Sequence, residues 1–455
     1  MRYDIGVMQK YQDYFKGKKI TLMGLGLLGR GVGDAAFLAR QGADLIVTDL
    51  KDAAELAPSL QKIKKHKNIK FILGRHRLID FRHRDLIIKA AGIPLDSPFI
   101  KEAKKYKIPV VMSTALFAKF FAGQIIGITG TRGKSTVTQL IYEIIAQHLQ
   151  NQKSHRKVWL GGNIRGVSTL AMLEKAKADD YAVLELDSWQ LQGFGSAKIS
   201  PHLAVFTTFL SDHMNYYKNS MARYLHDKAN IFRYQGKNDY LVLGQSVAKM
   251  LKAKSLKPKS KVTITSSEDV PKNWSIKIPG QHNLDNIACA LAIAKILQIP
   301  IKIVKQVVVS FKGIPGRLYR LASQGKFAIY NDTNATTPDA TMAALASLSN
   351  GQKNIVLIAG GASKGLATDK LTDGIKKHCR AIILLPGTGT DGLPRSIPGV
   401  ETIYAKDLKE AVKKALNITQ ANEALLFSPA FASFGLFKNE YDRGDQFDAL
   451  VKKLA

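Results

Sequence analysis

Gly127-Ile-Thr-Gly-Thr-Arg-Gly-Lys-Ser-Thr136 overlaps a short apolar run, Gln124-Ile-Ile-Gly-Ile-Thr129, and leads into a helical pattern of Val137, Leu140, Ile141, Ile144 and Ile145. A strand that empties into glycines and then a helix is the layout of a phosphate-binding loop. Glycines let the backbone turn tightly, its N–H groups point at anionic oxygens, and the helix N-terminus adds a favourable dipole. A strict Walker A loop needs a glycine five residues before Gly133, and that place holds Ile128; the glycines fall at Gly127, Gly130 and Gly133. The Gly-Lys-Ser core is intact. Lys134 is therefore expected to neutralise β- and γ-phosphate oxygens, and the Ser135 hydroxyl to ligate Mg²⁺.

Upstream, Lys19-Ile-Thr-Leu-Met23 runs into Gly24-Leu-Gly-Leu-Leu-Gly29, a helical pattern follows, and Asp44-Leu-Ile-Val-Thr48 ends at Asp49. This matches the dinucleotide fingerprint, with an acidic residue about 20 positions after the glycines. Three readings stay open for it alone: a nicotinamide cofactor, another nucleotide diphosphate, or a glycine turn that packs helix on strand. Further strands are expected at Leu86-Ile-Ile-Lys-Ala90, Pro109-Val-Val-Met112, Tyr181-Ala-Val-Leu-Glu185, Leu203-Ala-Val-Phe206 and Tyr240-Leu-Val-Leu243. Beyond a linker-like Ile314-Pro-Gly-Arg317, others follow at Phe327-Ala-Ile-Tyr330, Ile355-Val-Leu-Ile358, Ala381-Ile-Ile-Leu-Leu385 and Ala424-Leu-Leu-Phe427. Strand–helix alternation of this kind predicts α/β domains with parallel sheets. The expected boundaries are 1–113, 114–313 and 314–455: a Rossmann-like domain, a central P-loop ATPase domain and a second Rossmann-like domain.

A length of 455 residues suits several domains, and 45% apolar with 23% charged residues is ordinary for a globular chain. No apolar run approaches the roughly 20 residues of a membrane span, and 1–19 does not read as a leader. Cys289 and Cys379 make no disulfide framework, so a reducing, cytoplasmic setting is expected. The net charge of +31 admits three readings: basic composition on solvated faces, attraction of an anionic substrate, or nucleic-acid binding. No zinc-finger, RRM or basic-zipper pattern favours the last. Cys289, Trp189 and the Tyr216–Tyr217 pair read as packing residues, and Arg75-His-Arg77 and Arg82-His-Arg84 as solvated loop charges.

The second glycine loop resembles the ATP loop of the Mur ligases and folylpolyglutamate synthetases, and the rest of the chain carries the Mur landmarks in order. Gly161-Gly-Asn-Ile164 is similar to a substrate loop; Leu184-Glu-Leu-Asp-Ser-Trp-Gln190 to Glu-x-Ser-Ser-Phe-Gln; Asp212-His-Met214, with Lys228 fifteen residues after His213, to the metal-ligand histidine and carbamylated lysine. Gln281-His-Asn-Leu-Asp-Asn286 resembles an adenine-contacting motif. The resemblance implies that Gly130, Thr131, Arg132, Gly133, Lys134, Ser135, Thr136, Asn283, Asn286, Arg317 and Asp332 meet ATP. It implies Ser135, Glu185, His213 and a carbamylated Lys228 as ligands of two Mg²⁺ ions, with Lys134, Glu185, His213, Lys228 and Arg317 as the catalytic set. Gly26, Leu27, Leu28, Asp49, Leu50, Lys51, Gly92 and Asn163 would hold a UDP-sugar.

Ser428-Pro-Ala-Phe-Ala-Ser-Phe434, Phe437-Lys-Asn439, Arg443-Gly444 and Gly360-Gly-Ala-Ser-Lys364 resemble the D-glutamate-adding branch. Thr336, Lys364, Ser433 and Phe434 would then surround the amino acid. Small-molecule substrates, UDP-N-acetylmuramoyl-L-alanine and D-glutamate, are implied for a monomer that neither enters membranes nor binds nucleic acid. Four departures stand out: Asn334 for a lysine, Glu440 for an aromatic residue, Arg132 for an asparagine, and Ala90-Ala-Gly92 for Ser-Pro-Gly. A Mur-type ligase for L-glutamate or another amino acid is the nearest alternative. An NAD-dependent oxidoreductase would leave the second glycine loop and the His213/Lys228 spacing without purpose.

Overall fold

Apolar runs of four to six residues, each followed by a turn and a helical period, become the central strands of three sheets. The computed structural model describes residues 10–321, 327–349 and 351–454. The first sheet contains β1 (Lys19–Met23), β2 (Asp44–Thr48), β3 (Ile69–Ile72), β4 (Leu86–Lys89) and β5 (Val110–Val111). Their order is β3-β2-β1-β4-β5, and all pairs are parallel. The chain moves one way from β1 and the other way into β4, so a crevice opens between the carboxyl ends of those two strands.

The second sheet contains β6 (Gln124–Thr129), β7 (Val158–Gly162), β8 (Tyr181–Glu185), β9 (Leu203–Phe206), β10 (Tyr240–Gly244) and β11 (Lys261–Thr265). The order β11-β10-β9-β6-β8-β7, again parallel, sets β6 between β8 and β9. The third contains β12 (Tyr319–Leu321), β13 (Ala328–Asn331), β14 (Ile355–Gly360), β15 (Cys379–Leu385), β16 (Glu401–Tyr404) and β17 (Ala424–Phe427). Its order is β12-β13-β17-β14-β15-β16, with β12 alone antiparallel.

The described residues up to 270, with 285–307, form one compact unit that holds the first two sheets; residues 271–284 and 308 onward form a second around the third sheet. In β14, Ile355, Leu357 and Ala359 join one core and Val356 and Ile358 another, because successive side chains leave opposite faces of a strand. Burial on both faces is why such strands read as unbroken apolar runs. The expected α/β class with parallel sheets is observed. Among the described residues no helix is long and apolar enough to cross a membrane.

Five strands, β3, β7, β11, β12 and β16, are absent from the sequence reading, and every one lies at a sheet edge. An edge strand is covered on fewer sides and keeps polar residues, as in Lys261-Val-Thr-Ile-Thr265, exposed over its first four positions. The arginine-rich loops also differ from the expectation. Arg75 is exposed, but Arg77 pairs with Asp80 at 2.6 Å and Arg82 with Glu102 at 2.5 Å. Arg84 donates to the Ile20 and Asp44 carbonyls at 2.8 and 2.7 Å. Arg84 thus ties strand ends together, while Arg77 and Arg82 are paired but stay about a third exposed.

Candidate active site

Gly130 follows β6 at φ 154° and Gly133 caps the helix Lys134–Asn151 at φ 84°, both conformations that side chains disfavour. Space is closed as well: a Cβ on Gly130 would strike the Thr207 hydroxyl, and one on Gly133 would strike the Asn286 side chain. The segment after β9 moulds the loop. The Thr131 amide donates to the Thr208 carbonyl at 2.8 Å, the Arg132 amide donates to the Thr208 hydroxyl at 2.8 Å, and the Thr207 hydroxyl donates to the Arg132 carbonyl. The Gly133 carbonyl accepts the Val137 amide at 3.0 Å, so the helix starts directly at the end of the glycine loop. That geometry suits an anion.

Two lysines meet at the base of the loop. Lys134 Nζ donates to the Gly130 and Thr131 carbonyls at 3.0 and 3.2 Å, and Lys228 Nζ donates to the same Gly130 oxygen at 2.8 Å. Lys228, at the end of the helix Met221–Lys228, is 1% exposed. Burial and then the Lys134 charge hold its amine well below the ordinary lysine range, against the pull of Asp187, Asp212 and Glu185. Glu185 ends β8 beside β6 and is 2% exposed. His213 sits at φ 55°, its ring 4.6 Å from that of Trp189 and 6.5 Å from that of Tyr224. Burial lowers its pKa. Arg132 lies 3.6 Å from Asp212. The structure thus brings Lys134, Glu185, His213 and Lys228 to the surroundings of one loop. Trp189, Tyr216 and Tyr217 pack around this edge, with Trp189 and Tyr216 rings 5.4 Å apart and Gln192 and Asp227 bonded to the tyrosines.

The first glycine loop is bound from beneath by Asp49. One carboxylate oxygen accepts the Leu25 and Gly26 amides at 2.8 and 2.9 Å, and the other accepts the Lys51 amide at 3.0 Å. Asp49 therefore shapes the loop, while Leu27 and Leu50 are exposed beside it. The Leu28 carbonyl accepts the Gly166 amide at 2.8 Å, and Gly92 has open space where a side chain would stand. Arg30, which the sequence reading missed, donates to Asn163 Oδ1 at 2.6 Å, and Asn163 Nδ2 reaches Glu185 Oε1 at 3.4 Å. A relay of three side chains thereby joins the first loop to the site at β8. Lys89 and Asp187 were missed too. A lysine closing the buried run Leu86-Ile-Ile-Lys89 was the signal available for the first.

In the second unit the loops after β13, β14 and β17 converge. Lys364 Nζ donates to the Thr336 hydroxyl at 2.9 Å, and a shallow pocket there is lined by Thr336, Pro338, Ser363, Lys364, Ala430 and Phe431. Ser433 is buried next to the paired Ala362 and Ala432, but Phe434 is 70% exposed and does not line the pocket. Asp332 accepts the Leu318 amide at 2.9 Å and the Ser428 hydroxyl at 2.8 Å. Arg317 is exposed. Asn283 Nδ2 donates to the Pro279 carbonyl at 2.7 Å, in the first turn of the helix Gln281–Ile296. Asn286, buried at Gly133, lies one turn further along that helix.

Comparison with known proteins matches three family models: a Mur ligase MurD-like N-terminal domain over residues 18–112, a Mur ligase middle domain over 128–274, and a Mur ligase glutamate ligase domain over 316–431. The UDP-N-acetylmuramoylalanine--D-glutamate ligase of Roseiflexus sp. (strain RS-1) is 32% identical over 471 residues, covering 96% of this chain and 98% of the relative. Two solved structures share the fold. MurC of Thermotoga maritima, a UDP-N-acetylmuramate-alanine ligase, gives a TM-score of 0.61 at 19% identity, covering 96% of this chain and 99% of its own. MurF ligase of the same organism, in complex with ADP, gives 0.60 at 17%, covering 99% and 98%.

Arg443 holds the converging loops of the second unit. Fully buried, it donates to the Thr333 hydroxyl and carbonyl at 3.1 and 2.7 Å and to the Phe431 carbonyl at 3.1 Å. Burial pushes its pKa down to about 10, with Glu440 opposing. It is committed to the fold and offers no free charge to an acidic ligand. Arg443→Met strands these acceptors but no longer buries a charge, for a net loss of about 2–4 kcal/mol. Calorimetry should show a lower Tm for the transition that includes the third sheet; an unchanged thermogram contradicts this role.

Proposed function

The chain belongs to the Mur ligase family, and from that premise we propose that it is an ATP-dependent ligase that joins D-glutamate to UDP-N-acetylmuramoyl-L-alanine in peptidoglycan precursor synthesis. The observation that carries this reading is near-complete alignment with a relative of that name, supported by a glycine loop at 130–133 that opens a helix with Lys134 against it. Residues 1–113, 114–313 and 314–455 are proposed as its sugar-nucleotide, ATP and amino-acid domains. Cytoplasmic action is proposed as well, supported by two buried free thiols, and the acting species is proposed to be a monomer.

A carboxylate is a poor electrophile. One of its oxygens attacks the γ-phosphorus, the bond to the ADP oxygen breaks, and an acyl phosphate results. The amino group of glutamate then attacks the acyl carbon, loses a proton, and expels phosphate as the amide forms. The first step brings anion to anion, so the contribution of the protein is positive charge in a fixed place. Lys134 is proposed to leave the Gly130 and Thr131 carbonyls for phosphate oxygens. Arg317, Asp332, Asn283 and Asn286 are the remaining proposed ATP contacts.

Mg²⁺ fits the donors by chemistry, since Ser135 and the buried Glu185 offer hard oxygens beside His213. When bound, it would offset charge on the triphosphate. As an ammonium, Lys228 would repel a cation; as a carbamate, formed when its neutral amine adds CO₂ and sheds a proton, it would supply oxygens and negative charge. The burial that disfavours the ammonium supports that proposal.

Gly26, Leu27, Leu28, Asp49, Leu50, Lys51, Gly92 and Asn163 are proposed to form the UDP-sugar site. Thr336, Lys364 and Ser433 are proposed for the amino acid, with Phe434 at their margin. Asn334 in place of a lysine removes a charge-assisted bond of about 1.5–3 kcal/mol, or about 10- to 150-fold in affinity if nothing compensates. Lys364 remains.

Phosphate release with UDP-N-acetylmuramoyl-L-alanine and D-Glu, L-Glu, D-Asp, L-Lys or meso-diaminopimelate tests the assignment. D-Glu should lead, and preference for a neutral or basic amino acid would overturn the last step. Lys134→Ala should cut turnover about 100-fold or more. Near wild-type turnover at saturating ATP would remove Lys134 from the mechanism.

A further inference from the structure

Lys89 closes β4, a strand buried at all four positions, and is itself 3% exposed. Its ammonium is turned onto the backbone that follows: Nζ donates to the carbonyls of Ala90, Ala91 and Ile93 at 3.3, 3.2 and 2.9 Å. Within that turn the backbone itself makes one bond, from the Ile93 amide to the Ala90 carbonyl at 3.2 Å. Three carbonyl dipoles aimed at one point repel one another, and a group with three N–H donors is what can hold them there.

The turn lies at the carboxyl end of β4, beside the loop that follows β1, where the reversal of strand order opens a crevice. The contact is close: a Cβ on Gly24 would come within 2.8 Å of Ala90 Cβ and 3.5 Å of Ile93 Cδ1. Moving residues 90–93 therefore moves one wall of the crevice. In the family pattern a Ser-Pro pair stands at Ala90 and Ala91, and proline would restrict such a turn through its fixed φ. Here neither residue restricts it. Asp187, which caps the helix Ser188–Ala197, and Asp227, in the helix Met221–Lys228, favour the Lys89 ammonium against the burial that lowers its pKa to about 8. Asp187 is itself a departure, standing where the family motif has a serine.

We propose that Lys89 is a positioning residue for the sugar-nucleotide substrate, fixing the 90–93 turn at the β1–β4 crevice by three donated hydrogen bonds. The proposal rests on the assignment of that crevice to the UDP-sugar. It separates binding of this substrate from the phosphate chemistry, because Lys89 touches neither the 130–133 loop nor its lysines.

Full-length Lys89→Met should raise KM for UDP-N-acetylmuramoyl-L-alanine by about ten-fold or more. Its kcat and its KM for ATP should stay within about three-fold of wild type. Restoring the pair, in K89M/A90S/A91P, should return the first KM to within about three-fold of wild type. An unchanged KM in K89M overturns the proposal. So does a parallel loss of kcat and both KM values with lowered Tm that the triple variant does not repair, since Lys89 would then act only as a core group. A wild-type protein that does not turn over this substrate would sink the functional reading and the proposal together; wild-type turnover with an unaffected K89M sinks the proposal alone.

Discussion

Two lysines, 94 residues apart in the chain, donate to one carbonyl oxygen: Lys134 and Lys228 both reach Gly130. That convergence is possible only because β6 lies between β8 and β9. Its loop is then flanked by Glu185 on one side and by Thr207 and Thr208 on the other. The backbone at Gly130 takes a conformation open to glycine, and the threonines hold the loop in it. Lys134 is thus held at the loop, within reach of an anion that would draw it from the two carbonyls, while burial disfavours the ammonium of Lys228.

The charges around that point are organised by acids as much as by bases. Asp187 accepts the Gln190 amide at 2.7 Å and so caps the helix Ser188–Ala197, while its charge acts on Lys89, Lys228 and His213. A residue that begins a helix therefore also bears electrostatically on two buried lysines. The +31 net charge is a different matter. Most of it is spread over exposed lysines, and the site depends on a few basic groups held by named partners.

Much of this was legible in the sequence, and what was not has physical causes. Strands buried on both faces announce themselves as apolar runs, and both glycine loops were readable because glycine is required where φ is positive or space is closed. Edge strands such as β11 and β16 lack that signature, since water covers what a neighbour would bury. Positions with a fixed spacing, such as His213 and Lys228, could be matched to a family motif by resemblance. Partners created by folding could not: Arg30 meets Asn163 across 133 residues, and Arg443 meets Thr333 across 110. Phe434 shows the limit from the other side, because a residue within a matched motif is exposed beyond the pocket its neighbours line.

On the proposed mechanism the loop serves a transfer of phosphate to the substrate carboxylate and not simple hydrolysis of ATP. Isotope transfer tests it directly, using UDP-N-acetylmuramoyl-L-alanine with both carboxylate oxygens as ¹⁸O and unlabelled ATP and water. If an acyl phosphate forms and the amino group of D-glutamate expels it, the released phosphate carries one ¹⁸O and the amide product keeps the other. Phosphate free of ¹⁸O, formed at the rate of amide synthesis, would rule out an acyl phosphate.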